Sequence, residues 1–171
     1  MRDRPTRRNL RLAGWDYRSP GPYGITIVTQ NREWLFGEVI DGTMRCNPAG
    51  EVVANVWRDM EDAFPRISLD AFVVMPNHLH AILWLSNDGP AGNPALGEVI
   101  QRFKSVTTAM YSVGVHNQGW TPYDRRVWQQ EYYDQIIRND RELIHARNYI
   151  HANPARWAND PDRELEHPPR S

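Results

Sequence analysis

The stretch 70–85, DAFVVMPNHLHAILWL, restricts the fold more than any other part of the chain. Two apolar runs flank Met75-Pro76-Asn77, where Pro and Asn mark a tight turn. The pattern predicts a β-hairpin of buried strands. Residues two apart on a strand share a face, so His78 and His80 project together while Leu79 points the other way. Two parallel imidazoles on one rigid strand supply half of a metal or catalytic site. The bland counterpart is a pair of core histidines, each of which must find a partner to offset the cost of burial. The hairpin alone leaves both readings open, and a third group from elsewhere in the chain has to decide.

A chain of 171 residues is about one domain, and seven Trp, seven Tyr and four Phe can fill a substantial core. The formal net charge of -1 gives no global argument for a nucleic-acid partner. The distribution is less neutral: Arg2, Arg4, Arg7, Arg8, Arg11 and Arg18 crowd the start against only Asp3 and Asp16. Such an arm suits phosphate contact or plain solvation. Cys46 is the single cysteine, which rules out an intrachain disulfide and a thiolate zinc cluster. No apolar run follows the basic start and none is long enough for a bilayer, so no signal peptide, no membrane partner and a cytoplasmic location are expected.

In chain order, YGITIVTQ at 23–30 reads as a strand with Tyr23, Ile25 and Ile27 on one face. Residues 31–48 form a loop with a short hairpin at Asp41-Gly42. Val52, Val53, Val56, Trp57 and Met60 predict a helix over 49–64 that Pro65 closes. The central hairpin follows, then an exposed connection at 86–94. A second helix is expected over 95–111, with Leu96, Val99, Ile100, Phe103, Val106 and Met110 inward. A turn-rich loop at 116–123, a strand at 127–137, a final helix at 140–152 and a polar, Pro-containing tail complete the chain. This order favours an α+β, ferredoxin-like sandwich with a largely antiparallel sheet and helices packed on one face. A doubly wound parallel sheet fits less well, because no glycine-rich phosphate loop follows a strand.

The final helix offers the missing group. Asn139 and Glu142 have capping-box spacing, and Leu143, Ala146 and Ile150 form its apolar stripe. Tyr149 sits on the flank of that stripe, and Asn153 lies one turn further on the same side. Alone, these are a half-buried tyrosine and a C-cap before Pro154. Combined with His78 and His80, the set suits phosphoryl transfer: a divalent cation on two imidazoles and an amide oxygen, with the phenol as nucleophile. Tyr132 and Tyr133 are rival nucleophiles, but neither has a ligand-type residue at helical spacing on its own element.

PNHLH within an apolar hairpin, followed by YIHANP on a late helix, resembles the HUH single-tyrosine transposases of the IS200/IS605 type, and more closely the REP-associated tyrosine transposases. GWDYRSPGPYGITIVTQNREWLFG, FKS at residues 103–105 and VWQQEYYDQIIRND at 127–140 extend the resemblance over most of the chain. It implies a basic arm at 1–22, a transposase domain at 23–157 and a tail at 158–171. It implies Tyr149 as the catalytic nucleophile, His78, His80 and Asn153 as ligands, and Mg²⁺ or Mn²⁺ as cofactor. The implied reaction is cleavage and rejoining of single-stranded DNA beside REP-type hairpins through a 5′-phosphotyrosine, by a monomer or homodimer. Arg7, Arg8, Arg11, Arg102 and Lys104 are candidate DNA contacts, with solubilising charge as the alternative. Two further readings stand beside it: a domesticated hairpin-binding protein that does not cut, and a metal hydrolase, which lacks an evident base next to the pair.

Overall fold

A computed structural model describes residues 11–88, 91–160 and 163 of the chain. The hairpin at its centre is the one the sequence predicts: β4 (Ile67–Met75) and β5 (His78–Leu85) are antiparallel and turn at Pro76-Asn77. β1 (Gly21–Val28) pairs with β5 along its whole length, from Gly21 opposite Leu85 to Val28 opposite His78. β6 (Tyr133–Ile136) pairs with the other edge of β1. The resulting sheet is antiparallel in the order β4-β5-β1-β6, the strand order of a ferredoxin-like sandwich. A separate ribbon, β2 (Gly37–Ile40) and β3 (Thr43–Cys46), turns at Asp41 and Gly42, both at positive φ as a two-residue hairpin turn of this kind requires.

Alternation on the strands divides the molecule into two layers of side chains. Tyr23, Ile25 and Ile27 of β1 and Leu79, Ala81, Leu83 and Leu85 of β5 belong to the larger core. α1 (Pro48–Arg58) and α3 (Leu96–Gln118) cover that face, where Trp57 meets Phe103 edge-on with centroids 5.2 Å apart. α2 (Met60–Ala63) is a single turn after α1. The opposite face carries His78, His80 and Ile82. There α4 (Asp140–Ala152) packs Leu143 and Ile150 against Ile82. The helices therefore do not all share one face: α4 lies across the sheet from the other two. The sequence registers its apolar stripe but not the side of the sheet to which the stripe belongs.

Two elements differ from the sequence expectation for readable reasons. α3 runs on to Gln118 instead of stopping near Tyr111. Gly114 does not break the helix; it makes room for the Trp120 indole, which a Cβ there would strike at 2.1 Å. The helix ends at Gly119, in left-handed geometry. The expected strand at 127–137 is reduced to Tyr133–Ile136. Ahead of it, Lys104 Nζ donates to the carbonyls of Gln129, Gln130 and Glu131 at 2.8, 3.1 and 3.2 Å. These acceptors are satisfied by a side chain, so this stretch needs no strand partner for them. Among the described residues, no helix is long and apolar enough to cross a membrane.

Candidate active site

The two histidines are placed by β5 and aimed by their neighbours. His78 is fully buried and His80 is 4% exposed. Their ring centroids are 4.4 Å apart, so the same-face spacing in sequence becomes direct contact. Asn77 donates from Nδ2 to the carbonyl of Arg32 at 3.2 Å, which turns its Oδ1 toward His78. His78 Nδ1 donates to that oxygen at 2.7 Å. An amide oxygen only accepts, so Nδ1 carries a proton, and in the neutral ring Nε2 is the nitrogen with the lone pair. A 2.8 Å hydrogen bond joins His80 Nδ1 to Thr26 Oγ1 on the adjacent strand and orients the second ring. In the sequence Asn77 marks a turn; in the fold its amide also orients its neighbour.

α4 brings the tyrosine. Asn139 caps the helix by accepting from Glu142 N at 2.9 Å, while the Glu142 carboxylate reaches back to Arg138 N at 2.8 Å. The helix is tied to the sheet by Arg147, whose guanidinium forks onto Asp70 of β4. Two residues on, the partly exposed Tyr149 ring meets His80 edge-on, with centroids 5.4 Å apart. Past the helix end, Trp157 packs on His78 at 5.9 Å. Asn153 sits in the chain between these two contacts. It is 2% exposed, and its Oδ1 has no hydrogen-bond partner among the described residues. A buried carbonyl oxygen left in that position costs stability unless something binds it.

A carboxylate from the expected polar tail also enters the site. Asp160 Oδ2 lies 3.9 Å from His78 Nε2, and donor atoms of His78, His80 and Asp160 all lie within 4.8 Å of one another. That spacing is beyond a hydrogen bond and compatible with donors converging on one ion. The group can hold a metal. No periodicity or cap marks Asp160 in the sequence; a lone Asp before a proline looks like any solvated loop residue.

The remaining candidates are distributed differently. Arg7 and Arg8 lie outside the described residues. Arg11 donates to Tyr132 Oη at 3.0 Å, and its guanidinium carbon is 5.8 and 5.4 Å from the Tyr17 and Tyr132 ring centroids. Arg102 is exposed on α3. Lys104 is engaged with its three carbonyls, and burial draws its amine down to about 8. Of the rival tyrosines, Tyr132 is buried in the larger core, and that burial pushes its phenol up. Tyr133 faces the other way. It joins His80 and Tyr149 around a cleft of about 430 Å³ between α4 and the β1–β6 edge.

No known family model matches the chain. An uncharacterised protein of Haemophilus influenzae is 33% identical over 174 residues, covering 90% of this chain and 91% of its own length. The solved structure of a REP-associated tyrosine transposase bound to a REP hairpin superposes with a TM-score of 0.56 at 19% identity, over 81% of this chain and 68% of that one. A candidate transposase from Deinococcus radiodurans gives 0.51 at 16% identity, over 77% and 89%. The fold implied by the sequence resemblance is thus the fold of this chain. At the identity and coverage of the Haemophilus protein, the two belong to one family.

Proposed function

We propose that this family member is a metal-dependent, tyrosine-nucleophile transferase that cuts and rejoins single-stranded DNA beside a hairpin. The observation that carries the reading is the meeting of Tyr149 on α4 with the His80–His78 pair of β5, two elements far apart in sequence. The REP hairpin bound to one transposase of this fold supports hairpin DNA as the substrate.

His78, His80 and Asn153 would hold Mg²⁺ or Mn²⁺, with Asp160 as a further oxygen donor. Oxygen donors suit both ions, and the two imidazoles favour Mn²⁺. A cation held there would supply positive charge beside the phosphate under attack. The chain's own residues do the rest. Asn77 and Thr26 keep the imidazoles oriented. Tyr149 Oη gives up its proton and forms a bond to phosphorus as the bond from phosphorus to the 3′ oxygen breaks. The departing 3′ oxygen takes up a proton, leaving a 5′-phosphotyrosine and a free 3′-hydroxyl. Attack by another 3′-hydroxyl reverses the step and joins strands with no input of ATP.

The test is a denaturing gel after incubation with a hairpin-bearing oligonucleotide and Mn²⁺. A covalent protein–DNA band that disappears in Tyr149→Phe supports this reading. Binding without a band favours the non-cutting hairpin-binding protein, and cleavage that survives Tyr149→Phe favours a hydrolase.

A further inference from the structure

The cleft beside Tyr149 has a floor that lacks a side chain where one would fit. Gly24 lies in the middle of β1, paired with Ile82 and Gln135, on the same face as Thr26 and His80. Its φ is not in the left-handed region, so the backbone does not require glycine. An added Cβ would come no nearer than 3.7 Å, to Gln135 Cβ, so packing does not require it either. Glycine in a strand interior weakens the strand, and it often marks a place where something else approaches the backbone. What Gly24 spares is the volume of the cleft.

The walls say what that volume suits. Tyr133 and Tyr149 contribute phenol rings, His145 an imidazole, and Gln135 an amide that can both donate and accept. No lysine or arginine lines the cleft among the described residues, and Asp134 does, so apart from a cation held at His80 none of its walls draws a phosphate into it. Its volume of about 430 Å³ falls in the range of small-ligand pockets. A flat, uncharged ring with a polar edge matches these walls, and the proposed nucleophile stands at one side.

We infer that the cleft between α4 and the β1–β6 edge receives one unstacked nucleobase from a nucleotide next to the scissile phosphate, with Gly24 as its floor and Gln135 reading its edge. This rests on the DNA-processing role proposed above. Bases stack on aromatic side chains whatever their sequence, and an edge-facing amide adds selectivity. The pocket would thus help to choose the position that is cut.

The test uses binding, so that it does not depend on chemistry. Tyr149→Phe protein is titrated by fluorescence anisotropy with a hairpin-bearing oligonucleotide and with copies carrying a single abasic site at each flanking position. One position is expected to lose affinity by roughly tenfold. In a second protein carrying Gly24→Val as well, the intact oligonucleotide should weaken by a similar factor, and the abasic site should cost nothing further. Gly24→Val should melt at or above the parent temperature, because a β-branched residue favours the strand. Gln135→Ala should narrow the difference between bases at that position. Binding that is equally sensitive to abasic sites with Val or Gly at 24, or insensitive at every position, overturns the pocket. If the wild-type chain forms no covalent adduct but the Gly24-dependent position is present, the pocket stands and the cutting reaction falls. Absence of DNA binding overturns both.

Discussion

Arg147 of α4 grips Asp70 of β4 through two hydrogen bonds, Nε to Oδ1 at 2.8 Å and Nη2 to Oδ2 at 2.6 Å. Trp84 Nε1 donates to the same Oδ2 at 3.0 Å. The guanidinium holds the Asp70 carboxyl well below the usual carboxylate range. This fork fixes the helix two residues before Tyr149, so it sets where the phenol stands beside His80. Arg147→Met keeps a helix-forming side chain and removes the fork. It should slow adduct formation by about ten- to a hundredfold, as small misplacements of a reacting group do, while hairpin affinity changes little. Arg147→Lys restores the charge without the planar fork and should recover only part of the rate. Single-turnover kinetics beside anisotropy separate the two effects.

The metal group predicts its own ranking. His78→Ala and Asp160→Asn should each weaken Mn²⁺ binding measured by calorimetry, His78→Ala more severely. Asn77→Ala removes no proposed ligand, yet it releases the His78 ring from the acceptor that sets its tautomer. It should cost about ten- to a hundredfold in Mn²⁺ affinity, the usual toll for losing such an outer partner. Asn77→Asp keeps an acceptor and should recover much of it.

Lys104 should behave as a structural residue rather than a DNA contact. Its three carbonyl bonds hold the segment that leads into β6. Lys104→Met should lower stability by about 2 kcal/mol, the scale of losing charge-assisted hydrogen bonds at a half-buried site. Urea denaturation measures that loss. The salt dependence of hairpin binding should keep its slope, whereas loss of a phosphate contact would lower it by about one.

Buried phenols predict an alkaline limit. Burial pushes the Tyr111 phenol up to about 12, and it raises Tyr23 and Tyr132 as well. An unfolded tyrosine ionises near ~10. Between those values the folded chain keeps protons that the unfolded chain gives up. Stability is therefore intact below pH ~10 and falls as pH rises toward the folded values. Urea midpoints at stepped pH, followed with absorbance near 295 nm, should show the loss beginning above pH ~10. Tyr111→Phe should flatten the slope, at a cost of about 1 kcal/mol for its 2.7 Å bond to the Thr121 carbonyl.

The parts legible in the sequence are those whose chemistry is periodic. Strand alternation placed His78 beside His80, and the bounds of β4, β5 and α4 follow from turn and cap residues that act locally. The side of the sheet that α4 takes was not legible, because an apolar stripe does not name its partner. Neither was the end of α3, where Gly114 answers to Trp120 rather than to its own helix. Asp160 and Trp157 reach the histidines from beyond the final helix, and nothing local distinguishes them from other loop residues. Lys104 is basic and on a helix, and nothing in the sequence announces the three carbonyls it binds.

The central claim is that the Tyr149 oxygen is the atom that takes the strand. Wild-type protein is incubated with Mn²⁺ and a hairpin oligonucleotide, trapped, digested with nuclease and trypsin, and mapped by mass spectrometry. The account predicts a nucleotide adduct on the peptide that spans residues 148–156, attached through Tyr149. An adduct on Tyr133, or strand cleavage with no adduct on any tyrosine, would contradict it.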